Sequence, residues 1–235
     1  FDETAVDFLE KLKCPFYKVS SFEMTDLLLI KKIALTKKPM IISTGMSTLK
    51  EIKLTLDIAK KYGAKKITLL YCVSNYPSNI EDFNINNIKI LKEKFKCDVG
   101  LSDHSKDNII ASLAVSLGAT VFEKHIALSN QKKGLDLEFS LRGNDISKYR
   151  KLLDDSFELV KRDYFYRSKN ELVNKKFRRS IFSTTKIKKG EVFSKKNIKV
   201  VRPSDGLEPK YLSKLIGKKS KRKINEGRPI LKKYF

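Results

Sequence analysis

Five short runs rich in apolar and β-branched residues recur at the spacing of one strand-helix unit, and this constrains the fold more than any other feature. Segments of helical periodicity separate them, such as the segment that begins at Ser47, carries Glu51 in its first turn and ends at Gly63. Most runs are almost continuously apolar, as parallel strands covered on both faces are. The pattern predicts a partial (β/α)8 barrel of about five βα units. The five runs read YKVSS, PMIIST, KITLLYCV, CDVGLSD and ATVFEKHI and begin at Tyr17, Pro39, Lys66, Cys97 and Ala119.

The pattern changes after Arg162, where the apolar periodicity is lost. We therefore interpret residues 161–176 as a linker between a barrel domain at 1–160 and a second domain at 177–235. The second domain contains short strand-like runs, a Lys-Gly-Glu turn and an Arg-Pro-Ser-Asp-Gly loop. These features predict a small β-rich domain.

The net charge of +23 is distributed unevenly. Residues 1–160 carry a net charge of +4, whereas residues 161–235 carry +19. Such an excess raises the possibility of nucleic-acid binding. The lysines of the second region are not interleaved with stacking aromatic residues, so we expect no nucleic-acid partner.

Two further features bear on the environment of the chain. No run of 18 or more apolar residues is present, so we expect no membrane insertion. The three cysteines, Cys14, Cys72 and Cys97, are odd in number and share no C-x-x-C spacing, which favours a reducing cytoplasm over a disulfide framework or a cysteine zinc site.

Polar side chains stand at or just after the end of every predicted strand. In parallel barrels ligands bind at the carboxyl ends of the strands, so these residues are the candidates for a site. They are Lys18, Ser21, Glu23, Ser43, Thr44, Ser74, Tyr76, Ser102, Asp103, His104, Glu123, Lys124 and His125.

The only two histidines, His104 and His125, stand at equivalent points of two successive strands. This placement would bring two imidazoles together on one rim, and neutral imidazole is a ligand for Mn, Co, Zn or Fe. The alternative is that each is a buried histidine satisfied by its neighbours. The matched positions leave the metal site and that alternative about equally supported at this point.

Hydroxyl groups and one lysine at the same rim suggest an anion site. Lys18 with Ser21, Ser43 and Ser102 could bind a phosphate, although serines are also common in turns. The carboxylates of Glu23 and Glu123 could act as an acid, a base or a partner of a lysine, and Asp136 could hydrogen-bond a sugar hydroxyl; ordinary surface carboxylates are the alternative.

Six ordered motifs, taken together, resemble the sialic acid synthase family of phosphoenolpyruvate-dependent nonulosonate synthases. The resemblance covers nearly the whole chain, and the second domain resembles the antifreeze-like (SAF) domain of that family. The segments SFEMTD, FSL, FRRSIF and GLEPKYL are similar to those of pseudaminic acid synthases within the family. The six motifs are YKVSSFE, IISTGMST, SNYP, GLSDHS, FEKHIALS and RPSDGLEPKYLSKLIGK.

The resemblance implies an enzyme that joins C3 of phosphoenolpyruvate to the aldehyde of a 2-acetamido sugar and releases phosphate. For the pseudaminic acid synthases the sugar is 2,4-diacetamido-2,4,6-trideoxy-altrose. By matching positions, His104 and His125 are implied as ligands of a divalent metal, with Mn²⁺ expected and Mg²⁺ or Co²⁺ as alternatives, and Glu23 is implied in catalysis. The implied phosphoenolpyruvate contacts are Lys18, Ser21, Ser43 and Ser102, and the implied acceptor contacts are Glu23, Ser74, Tyr76 and Asp136.

Two positions depart from the family pattern. Ser74 stands where N-acetylneuraminate synthases have asparagine, and Leu135 stands where proline is usual. In the second domain, Arg202 matches an arginine presented to the sugar of a neighbouring subunit, and Phe177 matches an aromatic residue beside it. The resemblance therefore implies a domain-swapped homodimer.

Family members also have three more barrel strands before the position of Phe1. We therefore expect this chain to be a fragment that is inactive by itself, since a barrel without them has open edges. Two alternatives remain at this point: an N-acetylneuraminate or legionaminate synthase, and a non-catalytic remnant that binds a carbohydrate or a polyanion.

Overall fold

The computed structural model describes residues 1–235, which fall into two units, Phe1–Asp163 and Tyr164–Phe235. The segment 161–176, interpreted above as a linker, contains the boundary between the units. Part of it is helical, because Ser168 caps the short helix Lys169–Leu172 by accepting a hydrogen bond from the backbone of Glu171.

Strands and helices alternate through the first unit. Its strands are β1 (Tyr17–Val19), β2 (Met40–Ser43), β3 (Ile67–Cys72), β4 (Asp98–Asp103), β5 (Val121–Lys124), β6 (Ile126–Ala127) and β7 (Leu141–Arg142). Its helices are α1 (Glu3–Lys11), α2 (Leu27–Leu35), α3 (Leu49–Lys61), α4 (Asn87–Phe95), α5 (Ile109–Ser116) and α6 (Asn144–Val160), with a 3-10 turn at Ile80–Asp82.

The first five strands form one parallel sheet in the order β1-β2-β3-β4-β5. All six residues of β3 are buried, as expected for a central strand covered on both faces. Helices α2 to α5 connect consecutive strands, so each unit of strand and helix lies beside the next. The predicted partial barrel is confirmed.

Local signals explain how the helices begin. In α3 the N-cap is Thr48 and not Ser47: its hydroxyl accepts a hydrogen bond from the backbone of Glu51, whose side chain accepts from the backbone of Thr48 in return. Helix α6 begins at Asn144 and has Gly143 at its N-cap.

The sheet is open, because β1 and β5 each have only one hydrogen-bonded neighbour. Large apolar side chains lie exposed near both edges. Phe22, which follows β1, is 60% exposed, and Ile126, which follows β5, is 66% exposed. Unpaired strand edges and exposed apolar groups of this size mark surfaces that bind further polypeptide.

The second unit surrounds a separate core. Its buried side chains are Ile181, Ile187, Phe193, Ile198, Leu215, Ile224 and Ile230. Its regular elements are short, and single β-bridges supply much of the remaining pairing. The regular elements of this unit are α7 (Lys169–Leu172), β8 (Ser180–Ser183), β9 (Ile198–Val201), α8 (Leu212–Leu215) and 3-10 turns at Val173–Phe177, Pro209–Tyr211 and Lys232–Tyr234.

No helix of the structure has both the length and the apolar character that crossing a membrane requires.

Candidate functional site

A cavity of about 480 Å³ opens at the carboxyl ends of the sheet strands. Parallel strands bring these ends to one edge, so side chains far apart in sequence meet there. The cavity is lined by eight of the residues singled out from the resemblance: Lys18, Ser21, Ser43, Tyr76, Ser102, His104, His125 and Asp136.

The two histidines lie next to each other in this cavity, with ring centroids 5.3 Å apart. Nδ1 of His104 lies 2.9 Å from the carbonyl oxygen of Val73. A carbonyl can only accept, so Nδ1 is the donor, and in the neutral imidazole Nε2 keeps its lone pair. Nδ1 of His125 lies 3.5 Å from the carboxylate of Asp136, which favours the same tautomer. Outer contacts of this kind orient metal-ligating histidines.

This donor set fits a cation that takes two protein nitrogens and completes its coordination with water or substrate. The structure contains no group of three or more His, Cys, Asp or Glu side chains arranged to hold a metal. The two imidazoles would therefore leave most of the coordination positions open.

Neighbouring groups shift the pKa values of the two imidazoles in opposite directions. Burial lowers the pKa of His104, but hydrogen bonds to the Cys72 thiol and the Val73 carbonyl outweigh it, so the pKa of His104 is raised overall. Burial and the adjacent charge of His104 lower the pKa of His125. His125 is therefore the better candidate for a neutral imidazole at neutral pH.

Two aromatic rings pack around the histidines. The Tyr76 ring lies 4.2 Å from that of His104, and the Phe139 ring lies 5.1 Å from that of His125, centroid to centroid. Phe139 is buried, whereas Tyr76 is 46% exposed. Together the rings form an apolar wall that fixes the imidazole planes and leaves Tyr76 accessible to a ligand.

Lys18 lines the same cavity and is held by a carboxylate. Its Nζ lies 3.4 Å from Oε1 of Glu123 and donates to the Val19 carbonyl at 3.0 Å. The Ser102 hydroxyl donates to the same Oε1 at 2.7 Å. The sequence left open whether Glu123 acts as an acid, a base or a lysine partner, and in the structure it is a lysine partner.

The two remaining serines differ in their hydrogen bonding. Ser21 Oγ accepts a hydrogen bond from the backbone N–H of Gly45 at 3.0 Å. Ser43 Oγ is buried and has no hydrogen-bond partner. Because buried polar atoms are almost always paired, a hydroxyl of this kind that lines a cavity is available to bind a ligand.

Four of the residues implied by the resemblance do not line this cavity. Glu23 accepts a hydrogen bond from Ser20 Oγ. Ser74 lines a neighbouring cavity of about 680 Å³, which shares Cys72 with the first. In the second unit, Phe177 is 53% exposed and Arg202 is also exposed. The backbone N–H of Ser204 donates to the Lys176 carbonyl, which brings the segments of Arg202 and Phe177 together.

Sequence reasoning missed three contributors to the site: Cys72, Phe139 and Gly45. The thiol of Cys72 lies 3.8 Å from Nδ1 of His104. Burial raises the pKa of this thiol, but hydrogen bonds from His104 and two serines outweigh the effect and lower it overall. Cys72 stands one residue before the end of a predicted strand, so its position near the strand end was the available signal. Phe139 belongs to the FSL segment, which the resemblance singled out without giving Phe139 a role in the site.

Comparison with known proteins agrees with this geometry. Residues 1–161 match the model of the NeuB family, and residues 178–235 match the SAF domain. The chain is 39% identical over 230 residues to a pseudaminic acid synthase of Campylobacter jejuni, which covers 97% of this chain and 66% of the relative. It is thus about two thirds as long as that relative.

Two further relatives have related descriptions. An N,N'-diacetyllegionaminic acid synthase of Campylobacter jejuni is 36% identical, with 98% of this chain and 70% of the relative covered. The crystal structure of an N-acetylneuraminic acid synthetase from Leptospira borgpetersenii, in complex with citrate, has a TM-score of 0.69 and 29% identity, covering 74% of this chain and 61% of that one.

Proposed function

Since this chain belongs to the NeuB family, we propose that the complete protein condenses phosphoenolpyruvate with a 2-acetamido sugar and releases phosphate. The observation that carries the proposal is the convergence of one lysine, three serines and two imidazoles on a single cavity at the strand ends. A cation and several hydroxyl donors suit a phosphate or carboxylate, and the imidazoles suit the reacting carbonyl.

The reaction is balanced as follows. C3 of phosphoenolpyruvate forms a bond to the aldehyde carbon of the open-chain sugar, whose oxygen takes a proton. Water adds to C2, and the bond between C2 and the phosphate oxygen breaks, so phosphate leaves and a nine-carbon 2-keto acid remains. Both reactants must be held with the reacting carbons in contact, and this positioning is what the cavity walls would supply.

One group of residues in the cavity would bind phosphoenolpyruvate. Lys18 and the hydroxyls of Ser21, Ser43 and Ser102 would bind the anionic groups of phosphoenolpyruvate. Ser43 is the clearest of these because its hydroxyl has no protein partner.

Tyr76 and Asp136, which lie beside the two histidines, would contact the acceptor, and Ser74 would reach it from the neighbouring cavity. Glu23 remains a predicted catalytic group. His104 and His125 would hold the divalent cation, Mn²⁺ or else Mg²⁺ or Co²⁺. When bound, such a cation supplies Lewis-acid polarisation of a carbonyl.

The acceptor we propose is 2,4-diacetamido-2,4,6-trideoxy-altrose, which would make the protein a pseudaminic acid synthase. The 39% identity to the pseudaminic acid synthase supports this choice. The 36% identity to the legionaminic acid synthase favours a closely related sugar as the second candidate.

The proposed assembly is a domain-swapped homodimer, in which the SAF domain of one subunit brings Arg202 and Phe177 to the site of the other. The net charge of +19 on residues 161–235 supports this role, because a basic domain beside the site would attract anionic substrates.

The proposal concerns the complete gene product. Strands β1 and β5 of the sheet each have an unpaired edge. We therefore expect the 235-residue chain alone to give no turnover.

Phosphate release from phosphoenolpyruvate tests the proposal directly. The complete gene product would be assayed with the altrose derivative and with N-acetylmannosamine, each with Mn²⁺ and with EDTA. We expect metal-dependent release with the altrose, and a loss of about 100-fold or more in His104→Ala. Lys148→Ala, on the exposed face of α6, is the matched control and should keep full activity.

Turnover of N-acetylmannosamine alone would replace the acceptor with that of an N-acetylneuraminate synthase. If a folded protein releases no phosphate with either sugar, the proposed enzymatic activity is wrong. That result would favour a non-catalytic protein that binds a carbohydrate or a polyanion.

A further inference from the structure

Strands β4 and β5 face each other through consecutive residue pairs at their carboxyl ends. Ser102 lies opposite Glu123, and Asp103 lies opposite Lys124. The next residue on each strand is a histidine, His104 on one and His125 on the other. Since successive side chains of a strand alternate between the two faces, the Asp103–Lys124 pair points away from the face that carries Ser102 and Glu123.

The Asp103–Lys124 pair is almost fully removed from solvent. The two side chains are 0% and 6% exposed, and Nζ of Lys124 lies 2.9 Å from Oδ2 of Asp103. The other ion pairs of the chain involve partly or largely exposed side chains. A charged pair at this depth is unusual and calls for a physical reason.

The hydrogen bonds around the pair are well satisfied. Oδ1 of Asp103 accepts from the backbone N–H of Ser105 at 2.9 Å and from its hydroxyl at 2.7 Å. Lys124 also donates to the Ser105 carbonyl oxygen. The same pair therefore fixes the backbone on both sides of His104.

Stability alone does not account for such a pair. An apolar pair of similar volume usually stabilises a fold at least as well, because the free energy of desolvating two charges offsets much of their mutual attraction. The best-attested role of a buried polar pair is to specify one alignment of two elements.

Alignment is critical at this position of the sheet. A slip of one residue would turn His125 to the opposite face and leave two buried charges unpaired. Strand β5 has β4 as its only neighbour in the sheet, so no second strand corrects its register.

We propose that Asp103 and Lys124 are positioning residues that lock the register of β5 on β4 and thereby hold the two imidazoles side by side. The link to turnover rests on the proposed function, whereas the spacing of the imidazoles does not. Neither residue touches the cavity, so both act through the histidines that follow them.

The test is a double variant of the complete gene product, Asp103→Leu with Lys124→Met. It removes both charges and keeps the volume, so we expect its melting temperature to stay close to that of the wild type. The single variants Asp103→Leu and Lys124→Met each leave one buried charge and should melt earlier. If the double variant proves poorly folded, Lys124→Arg, which keeps the charge, takes its place. We then expect a smaller change in the spacing of the two imidazoles.

Two readouts separate positioning from a structural role. With histidine as the only protonated residue type, a nuclear Overhauser effect between the His104 and His125 rings should be present in the wild type and lost in the double variant. Mn²⁺ affinity, measured by the electron paramagnetic resonance of free Mn²⁺, should fall about 10-fold or more. The exposed pair at the same rim supplies the matched control, Lys106→Met with Glu138→Leu, which should change neither readout.

The outcomes are distinguishable. A ring-to-ring effect that persists in the folded double variant overturns the positioning role, whatever the enzyme does. A wild type that neither binds Mn²⁺ nor releases phosphate contradicts the proposed function. The nuclear Overhauser effect between the two rings then decides by itself whether Asp103 and Lys124 position the histidines.

Discussion

Ser102 and Glu123 lie opposite each other on adjacent strands, and the serine hydroxyl donates to the glutamate at 2.7 Å. The oxygen that accepts this bond also lies 3.4 Å from the ammonium of Lys18. The one cation that lines the cavity is thus held by a carboxylate before any substrate binds. The anion site is therefore charge-balanced, and a bound anion would have to compete with Glu123 for the lysine.

Removing that competition should tighten anion binding. We expect Glu123→Gln to lower the KM for phosphoenolpyruvate by about 2- to 5-fold, the range of a partly exposed ion pair. Steady-state kinetics of phosphate release would measure it. Glu138→Gln, which breaks the exposed ion pair with Lys106, is the control and should leave the KM unchanged. A higher KM in Glu123→Gln would show that the carboxylate positions Lys18 rather than competing for it.

The hydroxyl of Ser43, which has no hydrogen-bond partner, should lower the stability of the fold and strengthen the binding of phosphoenolpyruvate. Ser43→Ala removes a buried polar atom that has no partner, so we expect the free energy of unfolding to rise by about 1 kcal/mol. The same change should raise the KM for phosphoenolpyruvate about 10-fold, since a hydrogen bond to a charged group is lost.

Ser156 provides the contrast to Ser43. Its hydroxyl donates to the Leu152 carbonyl at 2.7 Å, so Ser156→Ala should lower stability without changing the KM. Denaturant melts together with kinetics test both variants. A destabilised Ser43→Ala with an unchanged KM would assign this serine to the fold instead of the ligand.

Gly45 has no space for a side chain, because two serine hydroxyls lie close to where a Cβ would be. A Cβ at this position would overlap the Ser74 hydroxyl and lie 2.9 Å from that of Ser21. We expect Gly45→Ala to displace both hydroxyls and to reduce kcat/KM about 100-fold, as small misplacements in a site do.

A second substitution tests the cause of that loss. Ser74→Ala removes the atom with the worst overlap, so Gly45→Ala with Ser74→Ala should be more active than Gly45→Ala alone. The kcat/KM values of both single variants and of the double variant complete the cycle. Purely additive losses would contradict the steric explanation.

Sharing of sites between subunits can be tested by mixing two inactive variants. His104→Ala disables the barrel side of a site, and Arg202→Ala disables the SAF side. In a domain-swapped homodimer each mixed dimer regains one native site, so co-expression should restore activity to about a quarter of the wild-type level. Activity that stays at the level of the separate variants would place both residues in the site of one subunit.

Much of the fold could be predicted because it depends on local patterns. All five predicted strands are present, and each is shorter than predicted, β5 most of all. Strand β1 ends at Val19 rather than Ser21, since the backbone leaves the sheet to form the loop that carries Ser21 and Glu23. The N-cap of α3 lies one residue later than expected, because Thr48 makes the reciprocal bonds with Glu51.

The site was predictable only in part. Residues at strand ends, such as Ser43 and His104, could be found from position, because parallel strands present their carboxyl ends together. Phe139 could not, since the loop that carries it has no periodicity. The pairing of Lys18 with Glu123 was one of several open alternatives, because sequence does not tell which charges meet.

The sequence by itself determined the alternation of strands and helices, the division into two units and the set of polar strand ends, because each depends on the local order of apolar and polar residues. Only the tertiary structure decided which of those polar groups are neighbours. The 5.3 Å between the imidazoles, the orphaned hydroxyl of Ser43 and the burial of Asp103 against Lys124 all depend on the register of one strand on the next. Register depends on contacts between strands that are distant in the sequence, such as that of Asp103 with Lys124, and no single stretch of the chain contains both partners.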